Sequence, residues 1–117
     1  MKVMIRKVLV YIYICHFAKV YVRFVDVIKE LESFNIAVDV VDPMASPEEV
    51  RREYDLDLVA TPKPNGYDAV IVAVNHKPYR DFQEVDFESL MRDDKGVLVD
   101  LKGLFRNHIE RLAYWSL

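Results

Sequence analysis

The sequence predicts a three-layer α/β domain with a mostly parallel sheet, and three observations support that fold class. Apolar runs with almost no charge alternate with amphipathic segments, the runs are rich in β-branched residues, and each run ends at polar or turn-forming residues. Strands of a parallel sheet have this continuous apolar character because helices cover both faces of the sheet. The chain has 117 residues, 52% hydrophobic and 30% charged, so we expect one soluble domain over residues 1–117.

The first third of the chain predicts a strand, a helix and a second strand. Residues 8–18 are almost wholly apolar, residues 20–34 repeat apolar side chains with the period of a helix, and residues 36–42 are rich in β-branched side chains. Basic residues before the first run give it some likeness to a signal peptide. A membrane span needs about 20 apolar residues, however, and no small-residue cleavage site follows, so we interpret the run as a buried strand.

The clearest local signal lies in the middle of the chain. Ser46 can accept hydrogen bonds from the first turn of a helix, Pro47 suits the first helical position, and Glu49 completes a capping box. These residues predict a helix over 47–54, followed by at most a brief strand over 56–59.

The second half of the chain predicts two further strands and two helices. Residues 68–74 and 97–101 are short apolar runs of the buried-strand type. Asp86 can cap a helix over 87–92, and apolar residues at helical spacing predict a helix in the tail, 106–117. Together with the earlier elements, this alternation of strands and helices is typical of a Rossmann-like fold.

Chemistry in such a fold is expected at the carboxyl edge of the sheet, because ligands of open α/β sheets bind in the crevice there. The sequence predicts the following residues at that edge: Cys15, His16, Asp42, Asn75, His76, Lys77, Asp100, Leu101 and Lys102. Cys15 is expected to be a small buried hydrophobe, because it and His16 would point to opposite faces of a strand and could not pair. His76 is either a ligand contact or a structural histidine. Three scattered histidines do not predict a metal site.

Several classes of function fit the sequence poorly. Asp42 would suit a ribose hydroxyl, but the turn after the first strand, CHFAKV, lacks the glycines of a dinucleotide-binding motif. A phosphoacceptor receiver domain would need an aspartate where the chain has Val74 and Asn75, although Lys102 is suitably placed. One cysteine permits no intrachain disulfide, and a formal charge of −3 argues against a nucleic-acid-binding surface.

Four segments, taken together, resemble a known domain. The resemblance extends over about residues 24–117. The four segments, the first of which begins at Asp26, read DVIKELESFNIAVDVVDPMASPEEVRREYDLDL, YDAVIVAVNHKPYRDF, VDFESLMRDDKGVLVDLKGLF and AYWSL. Their VDP-x-A-x-PEEV, A-V-x-H-K and D-x-K-G motifs resemble those of the C-terminal, UDP-binding domain of the UDP-glucose/GDP-mannose dehydrogenase family. Within that family, the chain resembles the branch that oxidises UDP-N-acetylhexosamines for bacterial capsule and surface polysaccharide.

The resemblance implies a UDP-sugar ligand and a part in the NAD-dependent oxidation of the sugar C6 alcohol to a uronic acid. In this family an N-terminal domain binds NAD, a long central helix forms a homodimer, and the reaction passes through a thiohemiacetal on a cysteine. These groups lie outside the C-terminal domain, so we expect this chain to hold no catalytic residue and no cofactor, and Cys15 is not that cysteine. The resemblance also implies a cytoplasmic enzyme with no membrane partner.

The resemblance further implies which residues contact the ligand. Lys102 of D-x-K-G matches a basic position near the bound nucleotide sugar, where a cation offsets negative charge. Asp100 is expected to help set that turn, and His76 or Asn75 is expected near the ligand.

Residues 7–23 depart from the family pattern. The family has a G-x-T-F-K-E-N-x-P-D-x-R loop after its first strand, whereas this chain is about three residues shorter and lacks the glycine and the Pro-Asp pair. Phe17, Lys19 and Arg23 are the nearest chemical equivalents, and their spacing would put both cations on one face of a helix. The departure leaves open an alternative, a non-catalytic remnant that acts as an interaction or oligomerisation module.

Overall fold

Five parallel strands form one sheet in the computed structural model, which describes residues 5–12, 18–75 and 77–117 and, of residues 18–23, the backbone alone. The strands lie in the spatial order β2-β1-β3-β4-β5, and every neighbouring pair runs parallel. Their bounds are β1 (Lys7–Tyr11), β2 (Ala37–Val41), β3 (Ala69–Val72), β4 (Val97–Asp100) and β5 (Ala113–Ser116). The predicted parallel α/β sheet is therefore confirmed.

Within the described residues, four helices connect and cover the strands. They are α1 (Ala18–Ser33), α2 (Pro47–Tyr54), α3 (Lys77–Arg80) and α4 (Glu84–Glu88). The chain moves from β1 outward to β2 and then returns past β1 to β3, so the direction of winding reverses between β1 and β3. A crevice for a ligand forms at such a reversal, outside the carboxyl ends of the strands.

Two hydrophobic cores lie on opposite faces of the sheet. On one face, Val10 of β1 packs in the same cluster as Ile28 of α1 and Val50 of α2. On the other face, the neighbouring Leu9 packs with Phe87 of α4 and with a set of aromatic rings. Successive residues of β1 thus serve different cores, which explains why its apolar run is continuous rather than alternating.

The local signals around α2 predicted its bounds correctly. Ser46 accepts a hydrogen bond from the backbone N–H of Glu49 at 3.4 Å, and Pro47 is the first helical residue. The helix ends at Asp55, whose φ of 55° is left-handed. The brief strand expected after α2 consists of one bridge, between Leu58 and Val40.

The first apolar run begins with the strand β1. The strand β1 ends at Tyr11, and α1 begins at Ala18. Residues 13–17, which include Cys15 and His16, lie outside the described residues, as does His76.

The predicted helix over 87–92 lies earlier in the chain. The helix α4 spans Glu84–Glu88, and Asp86 lies inside it instead of before it. The carboxylate of Asp86 accepts a hydrogen bond from the backbone N–H of Gln83 at 2.7 Å, so it completes a capping box from the third helical position. An acidic residue stabilises a helix both at the N-cap and within the first turn. The sequence alone therefore did not show which position Asp86 occupies, and the predicted start of the helix was three residues too late.

The predicted tail helix is wrong, because residues 113–116 form the edge strand β5. The buried carboxylate of Glu84 accepts backbone N–H groups from Glu110 (3.1 Å), Arg111 (2.7 Å) and Leu112 (2.9 Å). A helix would need those three N–H groups for bonds to its own carbonyls. The chain therefore bends around this carboxylate before it joins the sheet as β5. Within β5, Tyr114 packs in a core while Trp115 remains 50% exposed.

No helix within the described residues is long and apolar enough to cross a bilayer. Across the same residues, histidine, cysteine and acidic side chains form no group of three that could hold a metal ion.

Candidate ligand site at the carboxyl edge of the sheet

The short helix α3 lies over the carboxyl ends of β1 and β3. The hydroxyl of Tyr79 donates a hydrogen bond to the carbonyl oxygen of Ile12 at 2.6 Å, at the end of β1. The guanidinium of Arg80 donates to the side-chain oxygen of Asn75 at 2.6 Å, just after β3. Asn75 is thus held by a neighbouring cation, because the turn into α3 brings Arg80 back toward the strand.

The turn after β4 is organised by Asp100, whose side chain is completely buried. One carboxylate oxygen accepts the backbone N–H of Leu104 at 3.0 Å, and the other accepts that of Phe105 at 2.8 Å and the hydroxyl of Tyr114 at 2.5 Å. The carboxylate thereby satisfies backbone donors that follow the strand end.

Lys102 lies in that turn and is exposed to solvent. None of the ion pairs among the described residues involves it, so its charge is available to a ligand. Gly103 follows with a φ of 69°, and Arg106 then donates through Nε to the hydroxyl of Ser116 at 3.3 Å. A second guanidinium nitrogen of Arg106 donates to the carbonyl oxygen of Leu117.

Four exposed cations follow β3 and β4 at this edge. They are Lys77, Arg80, Lys102 and Arg106. Clustered basic side chains that face open solvent attract and bind anionic groups such as phosphates.

Asp42 marks the same edge at the end of β2 and is 5% exposed. Its Oδ1 accepts the backbone N–H of Met44 at 3.0 Å. This contact gives Asp42 a role in the turn through Pro43.

A cleft of about 680 Å³ adjoins the edge on the face covered by α3 and α4. It lies between residues 80–85 and residues 104–111, with Phe82 and Phe105 among its apolar walls and Arg80 and His108 among its polar ones. The residues that follow Lys102 therefore border both the edge and the cleft.

Three tyrosines on the α3 and α4 face are held protonated by their surroundings. Burial, and then the hydrogen bond to Asp100, raises the pKa of Tyr114 to about 12. Burial likewise raises the pKa of Tyr11 and of Tyr67 to about 12, with Asp86 contributing to the first and Asp39 to the second. Each hydroxyl therefore remains neutral, and those of Tyr67 and Tyr114 donate hydrogen bonds to carboxylates.

The structure brings together some of the predicted site residues. Asp100 and Lys102 share one turn, and Asn75 lies at the same edge. Phe17 and His76 lie outside the described residues. Residues 19 and 23 fall in the first two turns of α1, but their side chains also lie outside the described part.

Sequence reasoning missed Arg80, Arg106 and Tyr114. The contacts of Arg106 and Tyr114 join residues 10 and 14 positions apart, and that of Arg80 depends on the turn after β3, so spacing along one segment carried little signal. Of these three residues, only Arg106 could have been suspected from the sequence, because it is a cation that follows the D-x-K-G motif closely.

Comparison with known proteins gives one family match and several similar proteins. The model of the UDP-glucose/GDP-mannose dehydrogenase family, UDP binding domain, matches residues 23–107. A UDP-N-acetyl-D-glucosamine 6-dehydrogenase of Salmonella typhi is 44% identical over 80 residues, which is 68% of this chain and 19% of the relative. An enzyme of the same name from Pseudomonas aeruginosa is 38% identical over 82 residues, 70% of this chain and 19% of the relative.

A third relative is Protein CapL of Staphylococcus aureus, 31% identical over 85 residues, which is 73% of this chain and 20% of the relative. The chain thus spans about a fifth of the length of the relatives it matches. Because the family model covers most of the chain, including β2, β3, β4 and the Lys102 turn, the chain belongs to the UDP-glucose/GDP-mannose dehydrogenase family and matches its UDP-binding domain.

Proposed function

We propose that the chain binds the uridine diphosphate part of a UDP-sugar at the carboxyl edge of its sheet. The observation that carries this proposal is the position of Lys102, an exposed cation on a turn fixed by a buried aspartate, inside the segment matched by the UDP-binding domain. Phosphate oxygens would accept charge-assisted hydrogen bonds from Lys102, with Arg80 and Arg106 adding positive potential nearby. Asn75 and His76 are proposed to lie near the ligand, and Phe17, Lys19 and Arg23 are proposed as further contacts of it.

The parent activity proposed for this domain is the NAD-dependent oxidation of the C6 alcohol of a UDP-N-acetylhexosamine or UDP-glucose to a uronic acid. Two of the relatives are named UDP-N-acetyl-D-glucosamine 6-dehydrogenase, which supports this class of substrate. The residues of this chain would bind and orient the sugar nucleotide. We further propose that the parent enzyme is a cytoplasmic homodimer that acts in surface polysaccharide synthesis.

The NAD site is proposed to lie in another domain of the parent enzyme, because this chain does not fit the cofactor. Close approach of a pyrophosphate to the turn after the first strand requires glycine. The three glycines of this chain are Gly66, Gly96 and Gly103, and none lies between β1 and α1. No hydride-transfer step is therefore assigned to residues of this chain.

Calorimetric titration with UDP and with UDP-N-acetylglucosamine tests the proposal. Replacing Lys102 with alanine should weaken UDP binding about 10- to 100-fold, the effect of losing a hydrogen bond to a charged group. Lys63→Ala is the matched control, because Lys63 is also exposed but lies in the loop before β3, at the opposite edge. The proposal is overturned by the absence of binding at millimolar UDP, or by equal affinities of the two variants.

A second candidate function is an interaction or oligomerisation module that binds no nucleotide. It is favoured by the family match starting only at residue 23, and by Trp115 being half exposed on the edge strand β5. Sedimentation with and without UDP separates the two candidates. Association that does not depend on UDP, in a protein whose melting temperature UDP leaves unchanged, supports the module.

A further inference from the structure

The edge strand β5 reaches the Lys102 turn through one side chain. The hydroxyl of Tyr114 donates a hydrogen bond to Asp100 at 2.5 Å, on the same oxygen that accepts the backbone N–H of Phe105 at 2.8 Å. The other oxygen of Asp100 accepts the N–H of Leu104 at 3.0 Å. Asp100 is fully buried, so these three donors are the groups that hold its carboxylate in place within the described structure.

The three donors come from two directions. Those of Leu104 and Phe105 belong to the turn that carries Lys102, whereas that of Tyr114 comes from β5, which pairs with β4 in register. If Leu104 and Phe105 were the only donors, the carboxylate of Asp100 and the turn could move together relative to the sheet. The tyrosine instead ties the carboxylate to the sheet, so the turn is fixed relative to the strand ends.

A second contact runs from the same turn to the same strand. Arg106 donates through Nε to the hydroxyl of Ser116 at 3.3 Å. The segment from Asp100 to Arg106, which contains Lys102, is therefore attached to β5 at both of its ends. Asp100 is bonded to Tyr114, and Arg106 is bonded to Ser116.

We infer that Tyr114 is a positioning residue for the nucleotide site, acting through Asp100 on Lys102. This inference rests on the proposed function, since it concerns how Lys102 is presented to a diphosphate. Residues 113–116 lie beyond the family match, which ends at residue 107, so the match assigns no role to this strand. A turn that is already ordered loses less conformational freedom on binding than a mobile one, and this difference appears as affinity.

Tyr114→Phe tests the inference, because it removes the hydroxyl and keeps the ring. UDP should bind the variant about three- to tenfold more weakly, the effect of having to order the turn that carries Lys102 on binding. The matched control is Tyr67→Phe. The hydroxyl of Tyr67 also donates to a carboxylate, that of Asp39, at 2.7 Å, but Tyr67 precedes β3 at the opposite edge of the sheet.

A double-mutant comparison separates positioning from general loosening of the fold. In a Lys102→Ala background, Tyr114→Phe should no longer weaken UDP binding, because the group that it positions is gone. The salt dependence of UDP binding should also become shallower in Tyr114→Phe alone, because fewer phosphate contacts form. Ser116→Ala removes the other contact between this turn and β5, the hydrogen bond from Arg106, and should also weaken UDP binding.

The possible results distinguish the inference from the function on which it rests. If the unsubstituted chain does not bind UDP, or Lys102→Ala binds it equally well, the proposed site and the inference both fail. If Lys102→Ala weakens binding but Tyr114→Phe matches Tyr67→Phe, the inference alone fails. An equal loss from Tyr114→Phe with and without Lys102 also overturns the inference, because the tyrosine would then not act through that lysine.

Discussion

Gly103 controls the direction of the chain immediately after Lys102. Its φ of 69° is in the left-handed region, which side chains with a Cβ adopt at a cost. A Cβ at this position would also lie 2.7 Å from Nε of Arg106, the nitrogen that contacts Ser116. The backbone angle therefore favours glycine here, whereas the exposed guanidinium of Arg106 could move away from an added Cβ.

Gly103→Ala should accordingly lower the free energy of unfolding by about 1–2 kcal/mol, the cost of a left-handed alanine. Chemical denaturation of the two proteins measures the difference. Gly66→Ala is the control, because a Cβ there would meet Lys63 at 3.3 Å without a left-handed φ. A Gly103 variant as stable as the unsubstituted chain would contradict the backbone argument.

The site residues that sequence could predict are those that lie next to each other along the chain. Asp100 and Lys102 were predicted at one strand end, because the D-x-K-G motif follows a recognisable apolar run. Tyr114 was expected to pack, and its contact with Asp100 joins residues 14 positions apart, on neighbouring strands. Such a contact depends on strand pairing, which spacing along one segment does not reveal.

At the scale of elements, local signals predicted α2 well and the tail poorly. The helix α2 contains its own start and stop signals, in Ser46, Pro47 and the left-handed Asp55. The tail has apolar residues at helical spacing, but its backbone donors are taken by a carboxylate 26 to 28 residues earlier in the chain. Tertiary hydrogen bonds thus overrode the periodic pattern.

The bonds of Glu84 predict how the tail responds to acid. The N–H of Leu112 contributes most to lowering the pKa of Glu84 below its ordinary value of 4.5, with burial opposing the shift and Arg111 and Glu110 adding to it. A carboxyl whose pKa is lower in the folded state stabilises the fold above its ordinary pKa. That stabilisation should be lost as the pH falls below 4.5 and through the lower, folded value.

Glu84→Gln should therefore be less stable than the unsubstituted chain at neutral pH, and the difference should narrow as the pH falls. Thermal melts over an acid series measure this convergence. Glu48→Gln serves as the control, because Glu48 is an exposed residue of α2. A difference between Glu84→Gln and the unsubstituted chain that stays constant with pH would show that the carboxylate does not hold residues 110–112.

At the scale of the whole molecule, the fold could be predicted because burial on both faces of the sheet leaves a strong pattern. Four apolar runs correspond to β1, β2, β3 and β4, and the alternation with helices implied parallel pairing. The fifth strand carries a weak signal, because an edge strand is only half covered, as the exposure of Trp115 illustrates. Notably, β1 lies outside the family match yet pairs with both β2 and β3 at the centre of the sheet.

Among the described residues, three tyrosines with raised pKa values lie in or against the core on the α3 and α4 face, which makes the stability of the fold sensitive to alkali. The pKa of each of Tyr11, Tyr67 and Tyr114 rises from 10.0 to about 12, chiefly through burial. A group whose pKa is higher in the folded state stabilises the fold below its unfolded pKa, and that contribution disappears as the pH rises through the folded value.

The unfolding free energy should therefore fall steeply between pH 10 and pH 12, as the unfolded chain gains tyrosinate that the folded chain resists forming. Urea denaturation across this interval, with tyrosinate absorbance followed in parallel, measures the effect. Removing one hydroxyl, as in Tyr67→Phe, should lower the starting stability but make the decline with pH shallower, since one fewer buried phenol resists ionisation. Parallel declines in the variant and the unsubstituted chain would contradict the argument for Tyr67, because they would show that its ionisation does not contribute to unfolding by alkali.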